Sequence, residues 1–353
     1  MDKFLKDLEE FPVIESPLKK RYRNNILFSI GFNEKDEIEI GPMIEGKKVL
    51  NSKSNELVSE LCIKVCECVK EYIIKFSEIP VVRYPILEGC WRHIHIKENF
   101  EKQYIICFRL QNFAKYQPKI ENELNKLVIY IQKNIHEELM GLYYQVTNKL
   151  REPTIHDKLY QIYKKDDLIK VILDKKFILH PLTFFQVNFG AAEKMYLELD
   201  KIIKEKVSCE PDKKFILYDL YCGIGVYSIL FHKYFEKCIG IDNNPNNIKI
   251  ANKLKEINNI KNIEFIEKNI KDYNSTSTLR SIIIINPNRK GLNKENINNL
   301  KNVCNKIFLI VIYCDKKNLI KNNKLLNLNL RKKIEMFPSI NKYEYIISNK
   351  IIK

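Results

Sequence analysis

From about residue 213 onward, short β-branched runs alternate with amphipathic segments, and this alternation restricts the fold more than any other feature. The runs FILYDLY, KCIGID, NIEFIEK, SIIIIN and KIFLIVIY have the length and composition of buried strands. Segments such as NPNNIKIANKLKEIN between them predict helices. Alternating strands and helices indicate an α/β domain with a largely parallel sheet. We therefore predict a Rossmann-like domain over residues 191–353, closed by a hairpin of KIEMFPS and YEYIISN at the sheet edge.

The first 190 residues have a less regular pattern. NILFSIGF, DEIEIGP, RHIHIK and YIICFRL alternate between apolar and polar residues, as half-buried strands do. The stretches ELVSELCIKVCECVKEYIIKF and KIENELNKLVIYIQKNI have helical periodicity. We predict an α+β substrate-binding domain over residues 1–190.

Charge and composition narrow the class of partner. The chain carries 60 Lys and Arg against 44 Asp and Glu, a formal net charge of +16. Such an excess favours a polyanion as partner, because phosphate contacts release counterions. The alternative is a codon-biased genome rich in Lys, Asn and Ile. There is no apolar run long enough to span a membrane, and ten cysteines without paired spacing favour a reducing compartment, so we expect cytoplasm or nucleus.

A glycine-containing turn is the first candidate for a binding site. In FILYDLYCGIGVYS, Asp219, Gly223 and Gly225 lie where a strand ends and a helix begins. Glycines there let a ligand approach the backbone, and a helix start offers unbonded N–H groups. The next strand ends in Asp242, where an acidic side chain can accept hydrogen bonds from ribose hydroxyls. The alternative is an ordinary strand–helix turn with a solvated Asp242.

Cysteines provide the second set of candidates. Cys314 follows the apolar run IFLIVIY and should lie at the carboxyl end of a buried strand, where open α/β sheets build their sites. Taken alone, such a cysteine is more often a buried structural thiol than a nucleophile. Cys62, Cys66 and Cys68 raise the alternative of a metal or iron–sulfur site. They lie in an apolar helical pattern without a partner cluster, so we expect no metal there.

Seven segments, taken in order, resemble the RNA uracil-C5 methyltransferases, in particular the branch that makes ribothymidine in the T loop of tRNA. The segments FFQVN and DLYCG are the most specific of them. The likeness implies a class I methyltransferase dependent on S-adenosylmethionine, with RNA (most simply tRNA) as partner, no metal and no membrane. We expect a monomer. The matching segments are KKRYRNNILFSIGF, EGCWRHIHIK, HPLTFFQVNFGAAEKMY, DLYCGIGVYS, NPNRKGL, VIYCDKKNL and FPSINKYE.

The resemblance also implies a role for individual residues. Cys314 would be the nucleophile that adds to uracil C6, Glu344 the base that removes the C5 proton, and Arg289 a cation beside the uracil carbonyl. Asn188 would support the same pocket. The cofactor would be held by Gln186, Tyr221, Gly223, Gly225, Asp242 and Asn286.

Several positions depart from the family pattern. Asn286 replaces an aspartate and Asn288 a proline, so one negative charge near the sulfonium is missing. An amide oxygen still accepts a hydrogen bond. Asp315 and Lys316 follow the nucleophile where the family has Asn-Pro. Lys342 stands in place of a histidine and Ile340 in place of a threonine. Because the implied catalytic residues are kept, we expect an active but divergent enzyme.

The expected RNA contact is a basic cluster of Lys19, Lys20, Arg21 and Arg23 before a predicted strand. Its alternative is a solvated surface run. Tyr22, Trp91 and His93 are further candidates to stack on bases, although a lone Trp is more often part of a core. Three hypotheses stay open: a uracil-C5 methyltransferase of tRNA or ribosomal RNA, a catalytically impaired RNA-binding or RNA-folding protein, and a methyltransferase of exocyclic amines.

Overall fold

A computed structural model of the chain describes residues 8–147, 157–273, 277, 279–287, 291–292, 295, 307–326, 329–338 and 342–351. Within these ranges there are eighteen strands. The strands are β1 (Val13–Ile14), β2 (Asn25–Phe32), β3 (Ile38–Gly41), β4 (Met43–Ile44), β5 (Lys48–Val49), β6 (Trp91–Glu98), β7 (Tyr104–Gln111), β8 (Leu139–Thr147), β9 (Tyr160–Lys164), β10 (Ile169–Ile172), β11 (Lys175–Ile178), β12 (Phe215–Leu220), β13 (Lys237–Asp242), β14 (Ile263–Glu267), β15 (Arg280–Ile285), β16 (Ile307–Tyr313), β17 (Asn329–Phe337) and β18 (Lys342–Ile351).

Six helices accompany these strands, together with short 3₁₀ turns. None of the described helices is long and apolar enough to cross a membrane. The helices are α1 (Glu60–Phe76), α2 (Ile120–Asn134), α3 (Phe189–Ser208), α4 (Val226–Phe231), α5 (Pro245–Ile257) and α6 (Lys316–Leu326).

The chain forms two compact units. Unit 1 comprises residues 1–17, 171–177 and 190–353, and unit 2 comprises residues 18–170 and 178–189. The N-terminal segment and the β10–β11 connection therefore contribute to a unit made mostly of C-terminal residues.

Unit 1 is built on an eight-stranded sheet in the order β1-β17-β18-β16-β15-β12-β13-β14. The strands β12 to β16 are mutually parallel where they pair. Their interiors are almost uniformly apolar and buried, as parallel strands covered on both faces require. The predicted Rossmann-like α/β fold is confirmed, and each of the five predicted strands matches an observed one.

The C-terminal hairpin is also present, although it does not end the sheet. The strand β18 runs antiparallel between β16 and β17. Beyond β17, the short strand β1 pairs parallel through Val13 and Ile14. Residues near the chain start thus cover an edge that would otherwise expose unpaired N–H and C=O groups.

Unit 2 is built on a six-stranded sheet in the order β3-β2-β6-β7-β8-β9, antiparallel except for the β7–β8 pair. Alternating residues such as Ile94, Ile96 and Phe108 form one core with α1 and α2. The intervening residues, including His93, His95 and Lys97, point to the opposite face, as the period of a strand dictates. The α+β class predicted for this part is what the element order shows.

Candidate active site

The turn between β12 and α4 contains three residues with a positive φ angle. Tyr221, Gly223 and Gly225 have φ values of +59°, +55° and +80°. Residues with a Cβ rarely adopt this region, whereas glycine does so without steric cost, so the two glycines allow the turn to form. Tyr221 is held in this conformation by its surroundings. A Cβ on Gly223 would meet no atom within 4 Å, so this part of the loop faces open space.

Asp242 ends β13 and receives hydrogen bonds from two loops. Its Oδ2 accepts from the N–H of Gly223 at 3.0 Å, and its Oδ1 accepts from the N–H of Asn244 at 2.9 Å. The carboxyl is half-buried, and its Oδ1 also accepts from the Nδ2 of Asn247 at 3.3 Å, so the remaining lone pair is on Oδ2. It therefore fixes the glycine turn and still has acceptor capacity for a ligand's hydroxyl groups.

Asp219, by contrast, has an internal role. It is 1% exposed, and its Oδ2 accepts from both the N–H and the Oγ of Ser228, at 3.0 and 2.9 Å. Burial, opposed by these two hydrogen bonds, raises the pKa of Asp219 to about 7. The side chain ties the start of α4 to the end of β12 and so supports the turn from beneath.

Strand register brings three predicted cofactor residues side by side. Leu220 lies opposite Ile241 on one neighbouring strand and Ile285 on the other. One step further along, Tyr221, Asp242 and Asn286 therefore share the carboxyl edge of the sheet. The Nδ2 of Asn286 donates to the hydroxyl of Tyr227 on α4 at 2.8 Å.

Cys314 and Glu344 lie near the same edge, on the next strands. The antiparallel pairing of β16 with β18 ends at Tyr313 opposite Tyr345, and continuing this register by one step sets Cys314 opposite Glu344. Cys314 is half-exposed, whereas Glu344 is 4% exposed. A half-exposed thiol and a buried carboxyl thus follow this register on adjacent strands, and their roles as nucleophile and base stay predictions.

Two buried tyrosines lie in the electrostatic field of Glu344. Burial is the main cause that raises the pKa of both Tyr196 and Tyr227, and the Glu344 charge adds to it. The rings of these tyrosines contact edge to face, with centroids 6.0 Å apart. Through Tyr227, this pair links Glu344 to Asn286. Sequence reasoning missed both tyrosines, although Tyr227 lies in the segment DLYCGIGVYS and Tyr196 ends the segment HPLTFFQVNFGAAEKMY.

The other cysteines differ from Cys314 in burial. Cys222 also follows a parallel strand, but burial raises its pKa well above the ordinary value and disfavours the thiolate. Cys62, Cys66 and Cys68 lie on α1 within the unit 2 core. Over the described ranges, no group of three or more His, Cys, Asp or Glu residues is arranged to hold a metal, and no disulfide joins the nine cysteines there.

Gln186 and Asn188 belong to unit 2, and both are at least nine-tenths buried. Their segment is held by backbone contacts, with a bridge between Arg23 and Asn188 and a bond from the Asn24 N–H to the Val187 carbonyl. A second set of contacts holds the turn that precedes this segment.

That preceding turn is held by Lys97, whose Nζ donates to the carbonyls of His180 and Thr183. Burial lowers the pKa of Lys97 to about 7. The lysine therefore works as a buried donor to two backbone carbonyls, and its charge depends on pH near neutrality.

The basic cluster at the start of unit 2 is only partly a surface strip. Lys19, Lys20 and Arg21 are exposed, and Lys20 forms an ion pair with exposed Glu56. Arg21 donates to the carbonyl of Val58 at 3.3 Å. Arg23 is half-buried with its Nε enclosed, so it faces the protein. The phosphate-binding role of the cluster stays a prediction.

Some predicted residues have other surroundings or lie outside the described ranges. Trp91 is fully buried, donates to Ser77 and packs on Phe108, so it belongs to the core. Tyr22 and His93 are also buried. These burials leave the three aromatic rings without the exposed face that base stacking needs. Arg289, Asn288 and Ile340 lie outside the described residues.

Comparison with known proteins identifies the C-terminal part. Residues 211–351 match the family model described as a methyltransferase domain. An uncharacterised RNA methyltransferase of Clostridium tetani is 25% identical over 345 residues, covering 95% of this chain and 73% of the relative. One from Nanoarchaeum equitans is 26% identical and covers 95% of this chain and 70% of its own.

A solved structure has the same fold over nearly the whole chain. The tRNA (uracil-54, C5)-methyltransferase of Pyrococcus abyssi, in complex with S-adenosyl-L-homocysteine, superposes with a TM-score of 0.76 at 20% identity. The match covers 98% of this chain and 80% of that one.

The site fits the cofactor of this class. An open glycine turn and a carboxylate with spare acceptor capacity suit the adenosine part of S-adenosylmethionine, whose ribose carries two hydroxyl donors. The predicted methyltransferase class and cofactor are thereby confirmed. Residues 211–351 are a methyltransferase domain, and the chain is similar over most of its length to RNA methyltransferases.

Proposed function

We propose that this chain methylates C5 of a uridine in RNA, with Cys314 as the nucleophile and Glu344 as the base. The observation that carries the proposal is the β16–β18 register, which leads from the pair Tyr313–Tyr345 to Cys314 and Glu344. Methylation of an exocyclic amine requires no cysteine at such a position. A uracil C5 mechanism requires both a thiol and a base beside the ring.

The chemistry explains why two groups are needed. Uracil C5 is a poor nucleophile until the Cys314 thiolate bonds to C6, which moves the ring π electrons onto C5 and the C4 carbonyl. S-adenosylmethionine, when bound, would supply the electrophilic methyl group to C5 and would leave as neutral S-adenosylhomocysteine. Glu344 then removes the C5 proton. The electrons of the C5–H bond restore the C5–C6 double bond, and the Cys314 sulfur leaves as thiolate.

The exposure of the two groups supports these roles. A half-exposed thiol is open to a substrate base, whereas the other thiol that follows a parallel strand, Cys222, is enclosed and held protonated. The buried Glu344 sits among aromatic rings, where water does not compete for the proton.

The substrate class follows from chemistry and from the relatives. A target base must leave its stack to reach Cys314, so we propose a loop as substrate, most simply the T loop of tRNA. The similar Pyrococcus abyssi enzyme is a methyltransferase of uracil 54 in tRNA. Lys19, Lys20 and Arg21 would contact phosphates, and Arg289 would stabilise charge on the uracil carbonyl. A monomer acting in cytoplasm or nucleus completes the proposal.

Two alternatives compete with it. The replacement of an aspartate by Asn286 is compatible with an RNA-binding protein that has lost methyl transfer. Ribosomal RNA is an alternative substrate.

The test is methyl transfer from labelled S-adenosylmethionine to unmodified tRNA transcript, comparing wild type with Cys314→Ala and the matched control Cys209→Ala. Cys209 is an exposed cysteine of unit 1. We expect label as 5-methyluridine with wild type and Cys209→Ala, and none with Cys314→Ala. Transfer retained by Cys314→Ala would exclude the adduct mechanism and point to amine methylation. RNA binding without transfer by wild type would favour the binding protein, and label on ribosomal RNA alone would change the substrate.

A further inference from the structure

The hydrogen bond between Asn286 and Tyr227 connects the cofactor side of the site with the side on which Glu344 lies. Asn286 follows β15 at the carboxyl edge of the sheet, and its Nδ2 donates to the Tyr227 hydroxyl at 2.8 Å. Tyr227 belongs to α4, the helix that begins directly after the glycine turn. The contact therefore determines how the amide at position 286 is presented to a ligand.

An amide and a carboxylate differ in what they present to a ligand. A carboxylate has two acceptor oxygens and works in either orientation, whereas an amide has one acceptor and one donor end. An asparagine at the sheet edge is therefore a dependable acceptor only if its NH₂ group is held by something else. The Tyr227 hydroxyl does this, and it leaves Oδ1 on the opposite side of the amide.

The tyrosine is well fixed for this task. Its side chain is 7% exposed, stacks on Phe231 one turn later in the helix, and meets the edge of Tyr196. A ring packed on two sides cannot follow a rotating amide, so the amide must conform to the ring. Burial and the nearby Glu344 charge raise the pKa of Tyr227, so its hydroxyl stays neutral, and in the observed bond its oxygen accepts from the Asn286 amide.

We propose that Tyr227 is a positioning residue that fixes the Asn286 amide, so that its oxygen serves as the acceptor toward the cofactor in place of a carboxylate. The proposal rests on the proposed function only in placing Asn286 near the reactive end of S-adenosylmethionine. It also has a consequence for charge. A neutral amide accepts a hydrogen bond without the charge attraction of a carboxylate, so position 286 itself contributes little to distinguishing the charged cofactor from its neutral product.

The experiment is a double-mutant cycle read by calorimetric affinity for S-adenosylhomocysteine and S-adenosylmethionine, without RNA. The variants are Tyr227→Phe, Asn286→Asp and the two combined. We expect Tyr227→Phe alone to weaken binding by about 5- to 20-fold, because the Asn286 amide loses its orientation. In the Asn286→Asp background the same change should cost less than about 2-fold, because a carboxylate needs no orientation. Asn286→Asp should increase the affinity for S-adenosylmethionine, which carries the sulfonium charge, more than the affinity for S-adenosylhomocysteine.

Controls separate positioning from folding. Tyr234→Phe removes a comparable hydroxyl, one bonded to Asp200 at 3.0 Å, and should leave both affinities unchanged. If the Asn286→Asp variant loses its thermal transition, Asn286→Ala replaces it, since Tyr227→Phe should have no further effect once the amide is gone. Equal effects of Tyr227→Phe in all backgrounds, or no effect at all, would overturn the proposal.

The outcomes also distinguish the role of Tyr227 from the proposed function. If the effects of Tyr227→Phe and Asn286→Asp on affinity are simply additive while Cys314→Ala is inactive, uracil methylation is supported and the positioning role of Tyr227 is excluded. If the two effects are coupled while Cys314→Ala is active, the positioning role of Tyr227 is supported and the cysteine-dependent methylation of uracil is excluded. Wild type that binds neither ligand would contradict both.

Discussion

The sheets of the two units place their polar side chains in opposite ways. In unit 1 the parallel strands have apolar interiors, and Asp242, Asn286 and Cys314 come at or just after strand ends. In unit 2 polar residues run along the strands, and β6 alternates histidine and lysine with isoleucine. Unit 1 thus gathers its chemistry at one edge, whereas unit 2 carries polar groups across a whole face. Mutations at the carboxyl edge of the unit 1 sheet should accordingly affect turnover, and mutations on the polar face of the unit 2 sheet should affect stability.

The largest expected effect tests the edge of unit 1. Glu344→Gln preserves shape but cannot remove the C5 proton, so turnover to 5-methyluridine should fall by about 10²- to 10⁴-fold. The methylated adduct should then accumulate, because the sulfur leaves only after that proton does. A protein–RNA band on a denaturing gel measures it. The band should be absent from Glu344→Gln combined with Cys314→Ala. Normal turnover by Glu344→Gln would mean that another group is the base.

The next effect tests the polar face of unit 2. Lys97→Met removes the donor to the buried Thr183 carbonyl and one of the donors to the His180 carbonyl, which keeps its bonds from Thr183, so the change should cost about 2 to 3 kcal/mol of unfolding free energy. The loss should depend on pH. With the pKa of Lys97 at about 7 when folded and higher when unfolded, the unfolded chain binds more protons above pH 7. Wild type then gains stability with rising pH and the variant does not.

The deficit of Lys97→Met should therefore be larger at pH 9 than at pH 6, as measured by chemical denaturation at each pH. Exposed Lys35→Met is the matched control and should change little throughout. A deficit that stays constant with pH would show that Lys97 keeps its charge in the folded protein.

The same difference between the two sheets determines how much of each unit can be predicted from the sequence. Apolar runs and glycine turns are local signals, so the strands of unit 1, its hairpin and the positions of Asp242 and Cys314 were all predictable. The pairing of β1 with β17 joins residues about three hundred positions apart, and no local pattern indicates it. The contact from Asn286 to Tyr227 is likewise tertiary.

In unit 2 the alternation predicted the strands but not what covers their polar face. From the sequence, His93 and Trp91 are candidates to contact RNA, because the alternation of apolar and polar residues does not reveal whether the polar face of a strand contacts solvent or other parts of the protein. Arg23 was placed in a surface strip for the same reason, whereas its backbone bridges two segments of unit 2. Such errors concern burial and not secondary structure.

A smaller effect tests a buried acid within the unit 1 sheet. Because the pKa of Asp219 is raised to about 7, the folded protein binds more protons than the unfolded chain between about pH 4 and 7, and stability falls as pH rises through that window. Asp219→Asn keeps an acceptor for Ser228 and removes the titration. Its stability relative to wild type should increase by about 2 kcal/mol from pH 5 to pH 7.

The change of unfolding free energy caused by Asp219 ends near pH 7, and the change caused by Lys97 begins there. The stabilities of the two units should therefore respond to pH in different ranges. Thermal unfolding of Asp219→Asn against wild type at pH 5, 6, 7 and 8 checks this, with exposed Asp212→Asn as control. A difference that does not vary with pH would mean that Asp219 is ionised throughout and stabilised by Ser228 alone.

The smallest effect asks which unit contacts the RNA backbone. Lys20 in unit 2 and Lys214 in unit 1 are matched, since each is about two-thirds exposed and pairs with an exposed glutamate. Replacing either by alanine should change stability by less than about 0.5 kcal/mol. Lys20→Ala should weaken tRNA binding by about 2- to 5-fold and reduce the salt dependence by about one phosphate contact, whereas Lys214→Ala should do neither. Filter binding at several salt concentrations measures both. Equal losses would mean that the net charge attracts RNA without a defined strip, and a loss confined to Lys214→Ala would assign the phosphate contacts to unit 1.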